Sequence, residues 1–191
     1  MSAPAGRTGG PELTEEERRR LLGIARGALE AHFSGGRGGR PAAGGALGEP
    51  RGAFVTLRRR EDGELRGCIG TMEPERPLAE AVARMAVAAA TQDGRFDPVT
   101  SDELPQLQIE ISALGPLQPI RPEEVEVGRH GLLISLGGRR GVLLPQVPLE
   151  HGWDRETFLE HTCWKAGLPE DAWRRAGVEL LGFTADVFGE P

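Results

Sequence analysis

Apolar positions recur at helical spacing in the first part of the chain. Thr14 and Glu17 have the spacing of a capping box, and the apolar residues that follow predict one amphipathic helix ending near Phe33. Residues 1–12 are rich in Gly, Pro and Ala, and we expect them to form a disordered N-terminus. Residues 34–50 contain seven glycines and no aromatic side chain, which predicts a Gly-rich loop.

Strand spacing replaces helical spacing after this loop. Residues 53–58 alternate in polarity, an Asp-Gly pair favours a tight hairpin turn, and residues 65–71 supply the return strand. An alanine-rich helix is predicted over residues 77–92, where a proline suits the first helical position. Its small side chains would let it pack closely on a sheet. Residues 107–112 alternate again and predict a further strand.

The last third of the chain repeats this mixture of elements. Residues 131–137 and 141–144 predict a second hairpin, and residues 155–166 predict a helix. A short helix is predicted over residues 169–175, and a closing strand over residues 178–188. Hairpins interleaved with helices, without regular βαβ alternation, are typical of an α+β fold with a mostly antiparallel sheet flanked by helices.

Composition and charge narrow the classes of function. The 191 residues include 29 acidic and 23 basic side chains, and the net charge of −6 argues against a general nucleic-acid binder. Two cysteines, Cys68 and Cys163, are too few for a secreted disulfide framework, so we expect free thiols in the cytoplasm, with a single disulfide bridge as the alternative. No apolar run resembles a signal peptide or reaches the ~20 residues that cross a membrane, so we expect no membrane association.

The most unusual segment is Leu65–Gly70, which places a thiol between two glycines of a predicted strand. Glycines weaken a strand, so Gly67 and Gly70 imply a bulge, a bound ligand or the close approach of another backbone. If Arg66 and Cys68 share a face, the cation would favour the thiolate, which is the nucleophilic form. The alternative is a small buried thiol whose neighbouring glycines make room for a helix.

Asp93–Pro98 follows the alanine-rich helix and predicts a structured loop. Arg95 would be able to bind a carboxylate or phosphate through two hydrogen bonds. The alternative is that Arg95 pairs with Asp93 or Asp97 while Phe96 fills the edge of the core.

Isolated polar residues complete the set of candidates. Glu110 interrupts an apolar strand; if it is buried it needs a partner such as one of the arginines above, and if it is exposed it is a solvated side chain. His130 stands at a strand entrance, where it would serve as a general base or metal ligand, or be an ordinary surface histidine. Gln146 follows Pro145 at a strand end, where its amide would contact a ligand or simply end the strand. The spacing of Cys and His matches no zinc motif, and we predict no metal site.

Taken together, these segments resemble the AMMECR-one domain family. Leu65–Gly70 (LRGCIG) is similar to the family's signature hexapeptide. Other family segments occur in the same order, namely Gly52–Leu57 (GAFVTL), Arg95-Phe96, Gly128–Leu132 (GRHGL), Gly141–Val147 (GVLLPQV) and Phe158–Leu168 (FLEHTCWKAGL). The resemblance covers about residues 12–190, nearly the whole chain.

The resemblance implies a two-lobed α+β domain over residues 13–190, with the larger lobe built on an antiparallel sheet. For bacterial members it implies a component of a system that contains a Memo-like protein and a radical SAM protein. The family's biochemical function is uncertain, and no cofactor follows from it. Carried over by position, the candidate site contains Arg66, Gly67, Cys68, Gly70, Arg95, Phe96, His130, Pro145 and Gln146.

Two readings of this site remain open, and the sequence does not decide whether the protein is an enzyme. In the first, Cys68 is a nucleophile or contacts substrate, Arg66 binds an anionic group and His130 is the general base. In the second, the hexapeptide shapes a non-catalytic cleft that binds a ligand or partner, and RNA binding is a weaker third alternative. In either case, Thr71 and Glu110 join the residues expected to contact the ligand.

Overall fold

A computed structural model describes residues 13–36, 41 and 44–191. The chain forms two compact units, each described by itself below. The described part of the first unit is residues 13–114 with Asp186–Pro191, and the second unit is Gly115–Ala185. The predicted N-terminal tail and part of the predicted Gly-rich loop lie outside the described residues. Where that loop is described, Gly45–Gly48 forms a turn of 3-10 helix.

Helices and strands alternate irregularly along the chain, as in an α+β fold. The helices are α1 (Glu15–Phe33), α2 (Leu78–Thr91), α3 (Val147–His151) and α4 (Arg155–Lys165). The strands are β1 (Ala53–Arg59), β2 (Leu65–Thr71), β3 (Leu107–Leu114), β4 (Gln118–Pro119), β5 (Gly131–Leu136), β6 (Arg139–Leu143), β7 (Glu179–Phe183) and β8 (Ala185–Gly189). Within the described part of the chain, no helix has both the length and the apolar character needed to cross a bilayer.

The first unit packs α1 and α2 on one face of a four-stranded sheet in the order β2-β1-β3-β8. The predicted capping box is present, because Thr14 accepts the Glu17 N–H while Glu17 accepts the Thr14 N–H. β1 pairs antiparallel with β2 and with β3. Val55 and Leu57 of β1 are fully buried against the helices, so Thr56 between them points to the opposite face.

Contact between α2 and β2 is close enough to exclude a side chain. A Cβ atom at Gly67 would lie 2.1 Å from the carbonyl oxygen of Ala89 on α2. This contact is the close packing of an alanine-rich helix on a sheet that the sequence predicts. Gly67 is therefore the residue that lets the helix backbone approach the strand.

The second unit contains a four-stranded sheet in the order β4-β7-β5-β6, with α4 packed against β5 and β6. Its core includes Leu132, Phe158 and Cys163, all fully buried. Asp154 caps α4 by accepting the Thr157 N–H at 2.9 Å.

Two predictions near the C-terminus were wrong in detail. The predicted strand over residues 178–188 is interrupted at Thr184, and its two parts, β7 and β8, belong to different sheets. Alternating polarity predicts extended backbone but carries no information on which sheet each half joins. The predicted short helix over residues 169–175 is reduced to a 3-10 turn at Ala172–Arg174, since so short a segment does not offset the cost of helix nucleation.

Candidate functional site

A thiol, a hydroxyl and a carboxylate form one row on the sheet face opposite α1 and α2. Thr56 of β1 lies directly opposite Cys68 on one neighbouring strand and Glu110 on the other. The Thr56 hydroxyl donates a hydrogen bond to Cys68 Sγ at 3.3 Å. Cys68 and Glu110 are half-buried, and Glu110 makes no side-chain hydrogen bond or ion pair with any described residue. Neighbours in such a row have Cβ atoms ~5 Å apart, so all three groups can face one small substrate.

The backbone at Cys68 is fixed by an ion pair whose carboxylate is buried. Its N–H donates to Asp93 Oδ2 at 2.8 Å, and the same carboxylate accepts from Arg95 Nε at 2.9 Å and Nη2 at 2.7 Å. The hydrogen bonds from Arg95 hold the pKa of Asp93 far below its usual range, so this buried carboxylate stays charged. Asp93 in turn raises the pKa of Arg95 through the same hydrogen bonds. Arg95 and the Cys68 N–H therefore share one carboxylate, which places the Arg95 cation in the surroundings of Cys68.

Arg95 keeps part of its guanidinium available. Nη1 has no hydrogen-bond partner within residues 13–36, 41 and 44–191, and the side chain is 58% exposed. The guanidinium lies 5.4 Å from the centre of the Phe96 ring, a cation–π distance. Of the two predicted roles, pairing with Asp93 is observed, and it leaves one edge of the guanidinium able to bind an anion.

Arg66 faces the neighbouring loop. It sits at a bulge between β1 and β2 and is buried. Its Nε and Nη2 donate to Glu103, and its remaining contacts are the carbonyl oxygens of Asp97 and Pro98. These hydrogen bonds lower the pKa of Glu103 to about 2. Arg66 thus braces the loop at residues 97–103, and its expected role in binding an anionic substrate stays a prediction.

The two glycines that flank the thiol make room for different neighbours. Gly67 admits the backbone of α2, as described above. A Cβ atom at Gly70 would lie 2.2 Å from the ring of Phe54, which covers that position on the opposite face. Thr71 ends the strand, and its hydroxyl donates to Glu73 at 3.1 Å.

The remaining candidates lie in the second unit, at one end of the β5–β6 pair. His130 is buried, and its Nδ1 accepts the Glu126 N–H at 3.0 Å. Burial lowers its pKa, so the ring is neutral and carries its proton on Nε2. His130 Nε2 and Gln146 Oε1 are buried without a partner among the described residues, and Pro145 beside Gln146 is buried. In this state Nε2 is a hydrogen-bond donor, and the expected role of His130 as general base stays a prediction.

Comparison with known proteins identifies the family. The AMMECR1 family model matches residues 22–188. The chain belongs to the AMMECR1 family. It is 43% identical over 185 residues to protein MJ0810 of Methanocaldococcus jannaschii, covering 93% of this chain and 92% of that one. It is 44% identical over 191 residues to protein MK0488 of Methanopyrus kandleri, covering 95% and 92%. The crystal structure of the uncharacterized protein PH0010 from Pyrococcus horikoshii matches with a TM-score of 0.79 and 42% identity, over 89% of each chain.

The AMMECR1 family assignment and the α+β fold inferred from the sequence are therefore confirmed. The structure places most candidates in the first unit: Cys68, Arg66, Gly67, Gly70, Thr71, Arg95, Phe96 and Glu110. It places His130, Pro145 and Gln146 in the second unit.

Two residues of the candidate site, Thr56 and Glu103, are not predicted by the sequence. Thr56 looked like the polar face of an ordinary strand, and Glu103 lay in an unremarked loop. Continuing the register of the Arg58–Leu65 pair along the strands would set Thr56 opposite Gly67, but the bulge at Arg66 shifts the pairing by one residue. No signal in the sequence marks that bulge before the pairing is known.

Both cysteines are free thiols, but their surroundings differ. Cys163 is fully buried in the second unit, and burial raises the pKa of its thiol. Cys68 is half-buried in the row described above. Within the described ranges, no three His, Cys, Asp or Glu side chains are grouped closely enough to hold a metal ion.

Proposed function

We propose that this AMMECR1 protein uses the Cys68 thiol as a nucleophile towards an electrophilic carbon of a substrate that carries an anionic group. The observation that carries the proposal is the cross-strand row, in which Cys68 accepts a hydrogen bond from Thr56. A hydroxyl that donates to sulfur favours the charged, nucleophilic form.

The proposed step needs no oxidant or reductant. The sulfur forms a bond to the electrophilic carbon, and an electron pair of that carbon's bond to oxygen or nitrogen moves onto the heteroatom. The thiol proton passes to solvent water, from which Glu110 takes up a proton, while the Thr56 hydroxyl stays hydrogen-bonded to the sulfur. Glu110 suits this role because its carboxylate lies next to Thr56 in the row and has no partner among the described residues.

Arg95 would bind the anionic group of the substrate. Its Nη1 is free of hydrogen bonds to described residues, and Asp93 holds the rest of the guanidinium in place. A guanidinium fixed in this way loses little side-chain entropy on binding a carboxylate or phosphate.

Alkylation kinetics test the proposal in a Cys163→Ala background, which leaves one thiol. We expect iodoacetamide to modify Cys68 faster at neutral pH than it modifies glutathione. Thr56→Val should slow the reaction about tenfold, because a hydrogen bond to a charged group contributes ~1.5 kcal/mol or more. Ser112→Ala removes another buried hydroxyl from the same sheet face and should leave the rate unchanged. A rate no faster than that of glutathione, together with an unaffected Thr56→Val variant, would remove the basis for nucleophilic chemistry.

A non-catalytic binding function is the second candidate, and one observation favours it. Gly67, Gly70 and Arg66 each have a packing or hydrogen-bonding role that needs no chemistry at Cys68. The resemblance of the sequence to its family supplies the proposed partners, a Memo-like and a radical SAM protein, and the free thiols fit the reducing cytoplasm. A pull-down with both partners tests this, and failure to form a complex at micromolar concentration counts against it.

A further inference from the structure

We propose that the free edge of β2 binds the C-terminal end of a peptide in an extended conformation, antiparallel to β2, with its last residue beside Cys68. This inference rests on the proposed function for the chemistry at the thiol and adds the class of substrate. Peptide binding and thiol reactivity are measured separately below, so that either can fail alone.

The direction of the backbone at the edge follows from one hydrogen bond. β2 is the outermost strand of its sheet, and its neighbour is β1. Because the Cys68 N–H donates to Asp93, it points away from β1. Residues two apart in a strand direct their backbone groups to the same side, so the N–H and carbonyl of Gly70 also point away from β1.

Three backbone groups on this edge are unpaired. Within the described part of the chain, the Cys68 carbonyl, the Gly70 N–H and the Gly70 carbonyl have no hydrogen-bond partner. Both residues are half-buried, where backbone polar groups are normally paired. The edge thus presents an acceptor, a donor and an acceptor in sequence, which is the pattern that an added strand satisfies.

An antiparallel peptide fits these groups. One peptide residue opposite Gly70 would donate its N–H to the Gly70 carbonyl and accept the Gly70 N–H. The residue two positions further on would donate its N–H to the Cys68 carbonyl. It could gain no bond from the Cys68 N–H, because Asp93 already accepts that hydrogen at 2.8 Å. The peptide ladder therefore ends at Cys68.

Charge favours a peptide terminus at this point. An antiparallel peptide runs from Gly70 towards Cys68, so its C-terminal carboxylate arrives near Arg95, which pairs with the same Asp93 carboxylate that accepts the Cys68 N–H. Asp93 is already paired with Arg95, and Nη1 of Arg95 is free to donate a hydrogen bond to the peptide carboxylate. A parallel peptide would carry its carboxylate to the opposite end of the edge, away from Arg95.

The opposite end of the edge offers space for a side chain. A cavity of about 160 Å³ is lined there by Thr71 of β2 and by Arg84 and Met85 of α2, among others. A peptide that continues past Gly70 would place the side chain of an upstream residue at this cavity. Its lining includes apolar and charged groups, so it would accept a long side chain.

Amide hydrogen exchange and chemical-shift titration test the proposal on the full chain. The probe is a pool of N-acetylated pentapeptides with randomised side chains and a free C-terminal carboxylate, and the comparison pool is amidated at the C-terminus. We expect the free-acid pool to shift the Gly70 amide and to slow its exchange. The amidated pool should bind about tenfold more weakly, because it lacks the charged carboxylate that would accept a hydrogen bond from Arg95.

Variants separate this inference from the chemistry. Arg95→Gln should lower the affinity of the free-acid pool to that of the amidated pool, whereas Arg19→Gln, an exposed arginine on α1, should change neither. Cys68→Ala should retain peptide binding, because the backbone supplies the hydrogen bonds, but should lose alkylation. Equal binding of both pools, or no shift at Gly70, would overturn the proposal. A chemical shift of the Gly70 amide that changes with protein concentration in the absence of peptide would also overturn it, because it would show that a second copy of the chain binds this edge. Peptide binding with an unreactive thiol would overturn only the proposed function.

Discussion

Replacing Gly67 with alanine should disrupt the contact between β2 and α2. The new Cβ atom would lie 2.1 Å from the Ala89 carbonyl oxygen, and real Cβ atoms essentially never come closer than 3.0 Å to such a neighbour. The helix or the strand must therefore move by at least the difference of these two distances, 3.0 − 2.1 = 0.9 Å. The obstructing atom belongs to the helix backbone, so no side-chain rotation can relieve the contact.

The expected cost follows from overpacking in a close-packed core. Inserting a methyl group into such a site costs ~1–3 kcal/mol, and a backbone obstacle places Gly67→Ala near the upper value. For a chain of this size each kcal/mol lowers the melting temperature by about 2–4 °C, so we expect a decrease of about 6–12 °C.

Thermal unfolding followed by far-ultraviolet circular dichroism measures this decrease, since α1 and α2 are the two longest helices. Gly23→Ala is the matched control. It lies exposed on α1 with nothing within 4 Å of its would-be Cβ, and alanine there should stabilise by ~0.5–1 kcal/mol. Gly70→Ala should cost less than Gly67→Ala, because the Phe54 ring can turn aside. If the Gly67→Ala variant had the same melting temperature as the wild type, the close approach of α2 would not be the reason for a glycine at position 67.

Two further predictions concern protonation. Since the pKa of Glu103 falls from 4.5 to about 2 in the folded protein, its pairing with Arg66 stabilises the fold above about pH 4.5, and this is lost as the pH falls towards 2. Glu103→Gln should flatten the dependence of the urea midpoint on pH in that window, and an unchanged slope would contradict the pairing. In the folded protein the pKa of His130 is lowered from 6.5. As the pH falls below 6.5, the unfolded chain takes up the proton before the folded protein does, so the free energy of unfolding decreases. Above that pH the histidine is neutral in both states and the fold keeps its full stability. Nitrogen-15 NMR should show the Nε2–H tautomer; an Nδ1–H tautomer or titration above pH 6.5 would refute this assignment.

Local signals in the sequence were sufficient for most elements of the fold. The Thr14–Glu17 capping box and the alanine-rich helix are formed by neighbours in the chain, and both are present in the structure. The hairpin turn is also present, but it spans residues 60–63 rather than forming a tight Asp62-Gly63 turn, because the Arg59 N–H donates to the Glu64 carbonyl. The closing strand was incorrectly predicted as one element because its two halves join different sheets, a choice made by distant strands.

The candidate site shows the same division between local and long-range information. The hexapeptide predicts a site at Cys68, and the loop after the alanine-rich helix predicts that Arg95 pairs with an acid or binds an anion. Which arginine shares a carboxylate with the Cys68 backbone was not predictable. Arg66 pairs with Glu103 and Arg95 pairs with Asp93 through contacts that form only when the loop folds back on β2.

By itself, then, the sequence determined the periodicity of each element, the α+β class and the family, and it supplied Cys68 as the thiol of the candidate site. Tertiary structure alone decided the neighbours of that thiol. A single bulge at Arg66 moves Thr56 from opposite Gly67 to opposite Cys68 and so builds the row with Glu110. The physical reason is that strand pairing has a period of two, so a shift of one residue changes which side chains meet, and the cause of such a shift lies in packing rather than in local sequence.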